Sequence, residues 1–125
     1  MNRVLVIGAT GRVGRQVVSQ LPRTLRIGAA VRNPQAANLP PHVEVFRGDL
    51  SAPDSLDTAL RGTEAVFLVW TAPPATIASV IERIAKHAKR IVFLSSPHQT
   101  PHPFFQQPNP LARMHAQIET TIASF

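Results

Sequence analysis

The chain has no cysteine and no tyrosine among its 125 residues. Without cysteine there is no disulfide scaffold and no thiol chemistry, although that absence leaves the compartment open. Without tyrosine, no phenol is available to carry a proton. No stretch approaches the roughly 18 apolar residues of a membrane-spanning helix. The N-terminus lacks the pattern of a secretory leader, because Arg3 precedes only Val4–Ile7 before Gly8 interrupts the apolar run. A cytoplasmic protein with no membrane partner is expected. Acids are also scarce, 7 against 13 lysines and arginines, for a formal charge of +6. Such an excess raises nucleic acid as a partner. The bases, however, are scattered, mostly as single arginines such as Arg3, Arg12, Arg15, Arg23, Arg26, Arg32 and Arg47. The one local cluster runs from Lys86 to Arg90, and no nucleic-acid motif accompanies it. A diffuse positive field suits an anionic small ligand as well, so nucleic acid is not the expected partner.

What is present is apolar periodicity. Hydrophobic residues make up 44% of the chain, enough for one packed domain over residues 1–125. Val4–Ile7 reads as a buried strand, and Gly14, Val17, Val18 and Leu21 then fall on one helix face, which Pro22 ends. Leu25–Val31 and Val43–Phe46 read as the next strands, with a proline-rich loop at 33–42 between them. Pro53 opens a short helix with Leu56, Ala59 and Leu60 inward, and Gly62 stands at its C-cap. Ala65–Trp70 is a fourth strand, Ile77, Val80, Ile81 and Ile84 mark a helix, and Ile91–Leu94 is a fifth strand. Asn109-Pro110 opens a last helix carrying Leu111, Met114, Ile118 and Ile122. Continuous apolar strands alternating with helices predict an α/β, doubly wound Rossmann-type parallel sheet in the order 3-2-1-4-5, helices on both faces. The proline-rich segment 97–110 follows a strand's carboxyl end and reads as an active-site loop.

The segment "GATGRVG", Gly8–Gly14, lies between the first strand and the first helix. A helix N-terminus presents unpaired N–H groups and partial positive charge, and at a strand's carboxyl end it becomes an anion site. Gly8 allows the sharp turn, Gly11 leaves room for a pyrophosphate, and Gly14 allows close packing. The spacing is G-x-x-G-x-x-G rather than G-x-G-x-x-G. The second strand ends in "AAVRN", with Arg32 and no carboxylate for a ribose 2′-hydroxyl. Arginine suits a 2′-phosphate, so NADP(H) is the expected cofactor, and Arg12 can add a second charge. The alternative for both arginines is a solvated loop residue. Asp49 in "RGDL" can accept from an adenine amino group, or alternatively cap a turn. No metal site is expected.

"VLVIGATGRVGRQVV", "VRNP", "GDL", "VFLVWTAPP", "VFLSS" and "HAQIETTIASF" together resemble the NmrA-like group of atypical short-chain dehydrogenases/reductases along essentially the whole chain. The resemblance implies NADP(H) on a Rossmann fold, in proteins that either reduce quinones, dyes and other small molecules or sense the dinucleotide without turning it over. By matching position it implies cofactor roles for Gly8, Thr10, Gly11, Arg12, Val13, Arg32, Asp49 and Leu50, for the loop Thr71, Ala72 and Pro73, and for Ser95 and Ser96.

Two departures stand out. The wider superfamily transfers protons with Tyr-x-x-x-Lys after the fifth strand; here Leu111 takes the tyrosine position and His115 the lysine position. His115 can bond the ribose or donate a proton, or alternatively is a polar residue at the helix's exposed edge. The resemblance also implies chains about twice as long, with a C-terminal substrate region. On that basis the sequence is expected to be a fragment or natural half-protein, with an incomplete sheet edge and an uncovered apolar surface on the last helix that favour self-association.

Overall fold

Five parallel strands form from the apolar runs: β1 (Arg3–Ile7), β2 (Arg26–Val31), β3 (Glu44–Arg47), β4 (Thr63–Leu68) and β5 (Arg90–Phe93). They lie in the order β3-β2-β1-β4-β5. The computed structural model describes residues 3–22, 24–94 and 110–123. The helices are α1 (Arg12–Gln20), α2 (Asp57–Leu60), α3 (Ile77–His87) and α4 (Pro110–Ala123), with 3-10 turns at Pro34–Ala36, Pro53–Leu56 and Pro74–Thr76. Prolines open all three turns, where their fixed φ is compatible and no N–H is needed. Gly62, at φ +73°, reverses the chain after α2 as expected of its place.

Alternating strand residues feed two cores. Leu5, Ile7, Ala30, Val66 and Leu68 face α2, α3 and α4, meeting Leu60, Ile77, Ile81, Ile84 and Ile118. Val6, Ile27, Ala29 and Val31 face the other way, against Val18 of α1 and against Ala37 and Val43. A sheet covered on both sides explains why the strands read as unbroken apolar runs.

Two expectations need correction. The fourth strand begins earlier, at Thr63, and ends at Leu68 rather than Trp70. Thr63 is buried because its hydroxyl donates to the Ala59 carbonyl at 2.8 Å, so a polar residue opens the strand at little cost. Past the strand, Val69 N–H still donates to Ile7, but Trp70 turns into the core. The last helix is also covered in part from within, Met114, Ile118 and Ile122 ranging from half-buried to fully buried. Ile118 is fully buried, and Met114 and Ile122 pack against the core beside α3. Leu111 lies where no side chain is described, and segment 97–109 lies outside the described residues.

Arg3 is the largest surprise. One of the scattered single arginines of the sequence, it is 6% exposed. Its guanidinium donates to the carbonyls of Ala59 (2.7 Å) and Arg61, lies 4.6 Å over the Phe46 ring, and approaches Glu44 at 3.6 Å. Gly28 on β2 leaves room for it, since a Cβ there would lie 2.9 Å from Arg3 Cδ. The residue thus joins β1, β3 and α2 at the amino end of the sheet, opposite the glycine segment.

Candidate dinucleotide site

β1 lies at the centre, where the chain runs first toward β2 and later toward β4, so the crevice beyond its carboxyl end is the topological switch point of the sheet. Gly8 occupies that point at φ +90°, a conformation that favours glycine. A Cβ on it would also lie 2.8 Å from Val69 Cβ beside β4. The turn closes with Gly11 N–H donating to the Gly8 carbonyl at 3.1 Å, and Arg15 N–H to the Gly11 carbonyl makes the first helical bond. Gly11 is the N-cap, with no side-chain cap and no acid in the first turn. The N–H groups of Arg12, Val13 and Gly14 therefore face out of the helix end without a backbone acceptor among the described residues.

The glycines have separate duties. A Cβ on Gly14 would collide with the Gly8 carbonyl oxygen and lie 2.8 Å from Ala9 Cα, so this position must be bare for the loop to lie against the helix. A Cβ on Gly11 would meet only the Gly8 oxygen at 3.4 Å, with open space beyond. That space at a positively polarised helix end is what a pyrophosphate requires, so the residues present fit a dinucleotide. Thr10 on the loop and Val13 in the first turn of α1 are exposed, Val13 to 42%.

Arg32 is exposed immediately beyond β2, and Arg12 is exposed at the start of α1. Neither makes a hydrogen bond or ion pair with a described residue. Arg15 differs: its guanidinium donates to the carbonyls of Thr10 (3.0 Å), Asn38 (3.1 Å) and Ala37 (2.8 Å). It fastens the glycine loop to the turn after β2, a role that no spacing rule announces.

Asp49 caps a turn, its Oδ1 accepting from Ser51 N–H at 2.8 Å, while its own N–H donates to Ser55 Oγ at 2.8 Å. Leu50 is buried, and its carbonyl accepts from the Thr76 hydroxyl at 2.7 Å, tying the β3 loop to the segment after β4. Within that segment, the indole N–H of buried Trp70 donates to the Ala72 carbonyl at 2.6 Å. Thr71 and Pro73 flank it, exposed. Trp70 and Thr76 are the supports that sequence reading missed; the lone tryptophan beside the "TAPP" loop was the available signal.

His115 is buried rather than at an exposed helix edge. Its ring meets that of Phe93, the last residue of β5, edge to face with centroids 5.4 Å apart. It therefore lies near the carboxyl end of the sheet. Ser95 and Ser96 lie outside the described residues. Among the described residues no three His, Asp or Glu side chains gather as metal ligands, and no helix is long and apolar enough to cross a membrane.

The comparisons agree with this geometry. The model of a family described as NAD(P)H-binding matches residues 8–123. Over 71 residues the chain is 41% identical to a (4-alkanoyl-5-oxo-2,5-dihydrofuran-3-yl)methyl phosphate reductase of Streptomyces griseus, covering 56% of this chain and 25% of that protein. Among solved structures, triphenylmethane reductase of Citrobacter sp. complexed with NADP(H) superposes with a TM-score of 0.78 at 25% identity, over 98% of this chain and 45% of that one. An NADPH-dependent quinone oxidoreductase of Escherichia coli gives 0.74 at 28% identity, over 96% and 42%. The chain thus spans less than half the length of each of these proteins. With a glycine turn at the switch point, a five-stranded parallel sheet in the order 3-2-1-4-5 and a family match over nearly all its residues, the chain belongs to the NAD(P)H-binding family, as an NmrA-like, atypical short-chain dehydrogenase/reductase type of Rossmann domain.

Proposed function

We propose that this chain is the NADP(H)-binding part of a reductase that passes hydride to a small, quinone-like acceptor. The observation that carries the reading is Arg32, an exposed guanidinium just past β2 with no bond or ion pair to a described residue and no carboxylate beside it. Such a group suits the 2′-phosphate that only NADP(H) carries. Arg12 adds charge from the start of α1, the α1 N–H groups receive the pyrophosphate, and the Asp49–Leu50 and Thr71–Pro73 loops border the adenosine and nicotinamide halves. His115, near the carboxyl end of the sheet, bonds the ribose or supplies a proton on the nicotinamide side, and the resemblance assigns cofactor roles to Ser95 and Ser96 as well. When bound, the dinucleotide supplies a hydride, which with one proton converts a quinone to a hydroquinone and leaves the oxidised dinucleotide.

The absence of tyrosine favours a second reading, a dinucleotide-sensing protein without turnover. Titration with NADPH and NADH, followed by NADPH oxidation with a panel of quinones, separates the two. On the first reading the chain binds NADPH in preference to NADH and oxidises it slowly by itself, since a misplacement of ~1 Å in the acceptor costs about a hundredfold. Binding with no oxidation by any quinone supports the sensor. Self-association through β5, where Val92 is 55% exposed, belongs to the same proposal, and sedimentation at rising concentration tests it.

A further inference from the structure

We infer that Arg15 is a positioning residue that sets cofactor choice without touching the cofactor. The inference rests on the NADP(H) reading above. Arg15 stands four residues after Gly11 on α1, and each of its three guanidinium nitrogens donates to a backbone carbonyl, in two separate segments. One is Thr10, in the glycine loop. The others are Ala37 and Asn38, at the far end of the turn that begins at Arg32.

That turn is built to transmit the constraint. It is short and internally bonded, Ala36 N–H donating to Asn33 and Ala37 N–H to Pro34. Ala37 is 2% exposed in the α1-side core, whereas Asn33 and Arg32 are exposed. Asn38 holds a φ of +52°, a left-handed conformation that asparagine adopts more readily than most residues and that ends the turn. The Arg15 bond to its carbonyl holds that end of the turn against α1. With both ends of one planar fork engaged, the glycine loop and the Arg32 turn cannot separate independently. The spacing between the loop that leads into Arg12 and the turn that follows Arg32 is then set by a third arginine that a count of positive charges would assign to the ligand. NADH shares the pyrophosphate but brings no 2′-phosphate to meet Arg32, so NADPH should feel the difference more.

The test uses the full chain and measures NADPH and NADH affinities for wild type, Arg15→Met, Arg15→Lys, Arg32→Ala and the double variant Arg15→Met/Arg32→Ala, with a thermal melt of each. Arg15→Met should weaken NADPH roughly tenfold, the size of one misaligned charge-assisted contact, and weaken NADH clearly less. Arg15→Lys keeps the charge but gathers its donors on one nitrogen, which cannot span carbonyls set for a planar fork, so it should lose most of the same affinity. The double variant should bind NADPH no worse than Arg32→Ala, because Arg15 acts through the Arg32 turn. Full rescue by lysine would mean that Arg15 acts through its field and overturns the inference. Equal loss for both dinucleotides, or additive losses in the double variant, overturns it too. Should the methionine variant not fold, the lysine variant alone decides by the same criterion. A wild-type protein that shows no preference for NADPH defeats the cofactor reading itself, before any variant is compared.

Discussion

The Cα of Gly14 faces the carbonyl of Gly8 so closely that a single methyl group between them would overlap the oxygen and stand 2.7 Å from the carbonyl carbon. Both neighbours are backbone, so neither can rotate away. Gly14→Ala should therefore destabilise the fold by about 3 kcal/mol or more, at the upper end of overpacking effects. Urea denaturation checks this, and a variant within ~1 kcal/mol of wild type would show that α1 can slide.

Gly11→Val should behave in the opposite way. The residue has ordinary extended angles, φ −76° and ψ 172°, and open space beyond its Cβ direction. The variant should keep its melting temperature within a few degrees while losing dinucleotide binding, because the isopropyl group takes the pyrophosphate's place. Calorimetric titration beside a thermal melt distinguishes the outcomes; retained binding would put the site elsewhere.

Arg32→Ala should weaken NADPH by about tenfold to a hundredfold, the value of one charge-assisted bidentate contact of ~1.5–3 kcal/mol, and leave NADH nearly unchanged. Equal loss for both would assign Arg32 to stacking or folding.

Arg3→Ala should cost about 2–4 kcal/mol, since it removes charged-group hydrogen bonds to two carbonyls and the packing over Phe46. Cofactor affinity measured below the melting temperature should be unaffected, because Arg3 lies at the amino end of the sheet. A change in affinity would reveal coupling between the two ends.

Trp70 offers a direct optical readout. It is the one tryptophan of the chain, is buried, and bonds to Ala72 in the loop after β4. NADPH should change its emission in a saturable titration. Trp70→Phe should keep the core filled, cost about 1 kcal/mol by leaving the Ala72 carbonyl without its donor, and weaken binding modestly. An emission spectrum that stays constant through saturation would place the dinucleotide away from this loop.

Much of this architecture is local physics and can be read along the chain. A strand followed at once by three glycines and a helix leaves few steric alternatives, and apolar runs of strand length separated by helical periods select a covered parallel sheet. The duties of Gly8 and Gly14, the strand order and the exposed place of Arg32 all follow from interactions within a few residues or from handedness rules. Tertiary structure alone decided the arginines and the supports. Arg3 and Arg15 look alike in the sequence, yet one is buried against carbonyls 56 and 58 positions away and the other clasps carbonyls 22 and 23 positions away. His115 lies inside because α4 turns it toward Phe93, and Trp70 leaves its strand because the core beyond Leu68 has room for an indole and a carbonyl within reach. A long side chain samples many partners, and its choice depends on where folding places distant backbone groups, which no local pattern encodes.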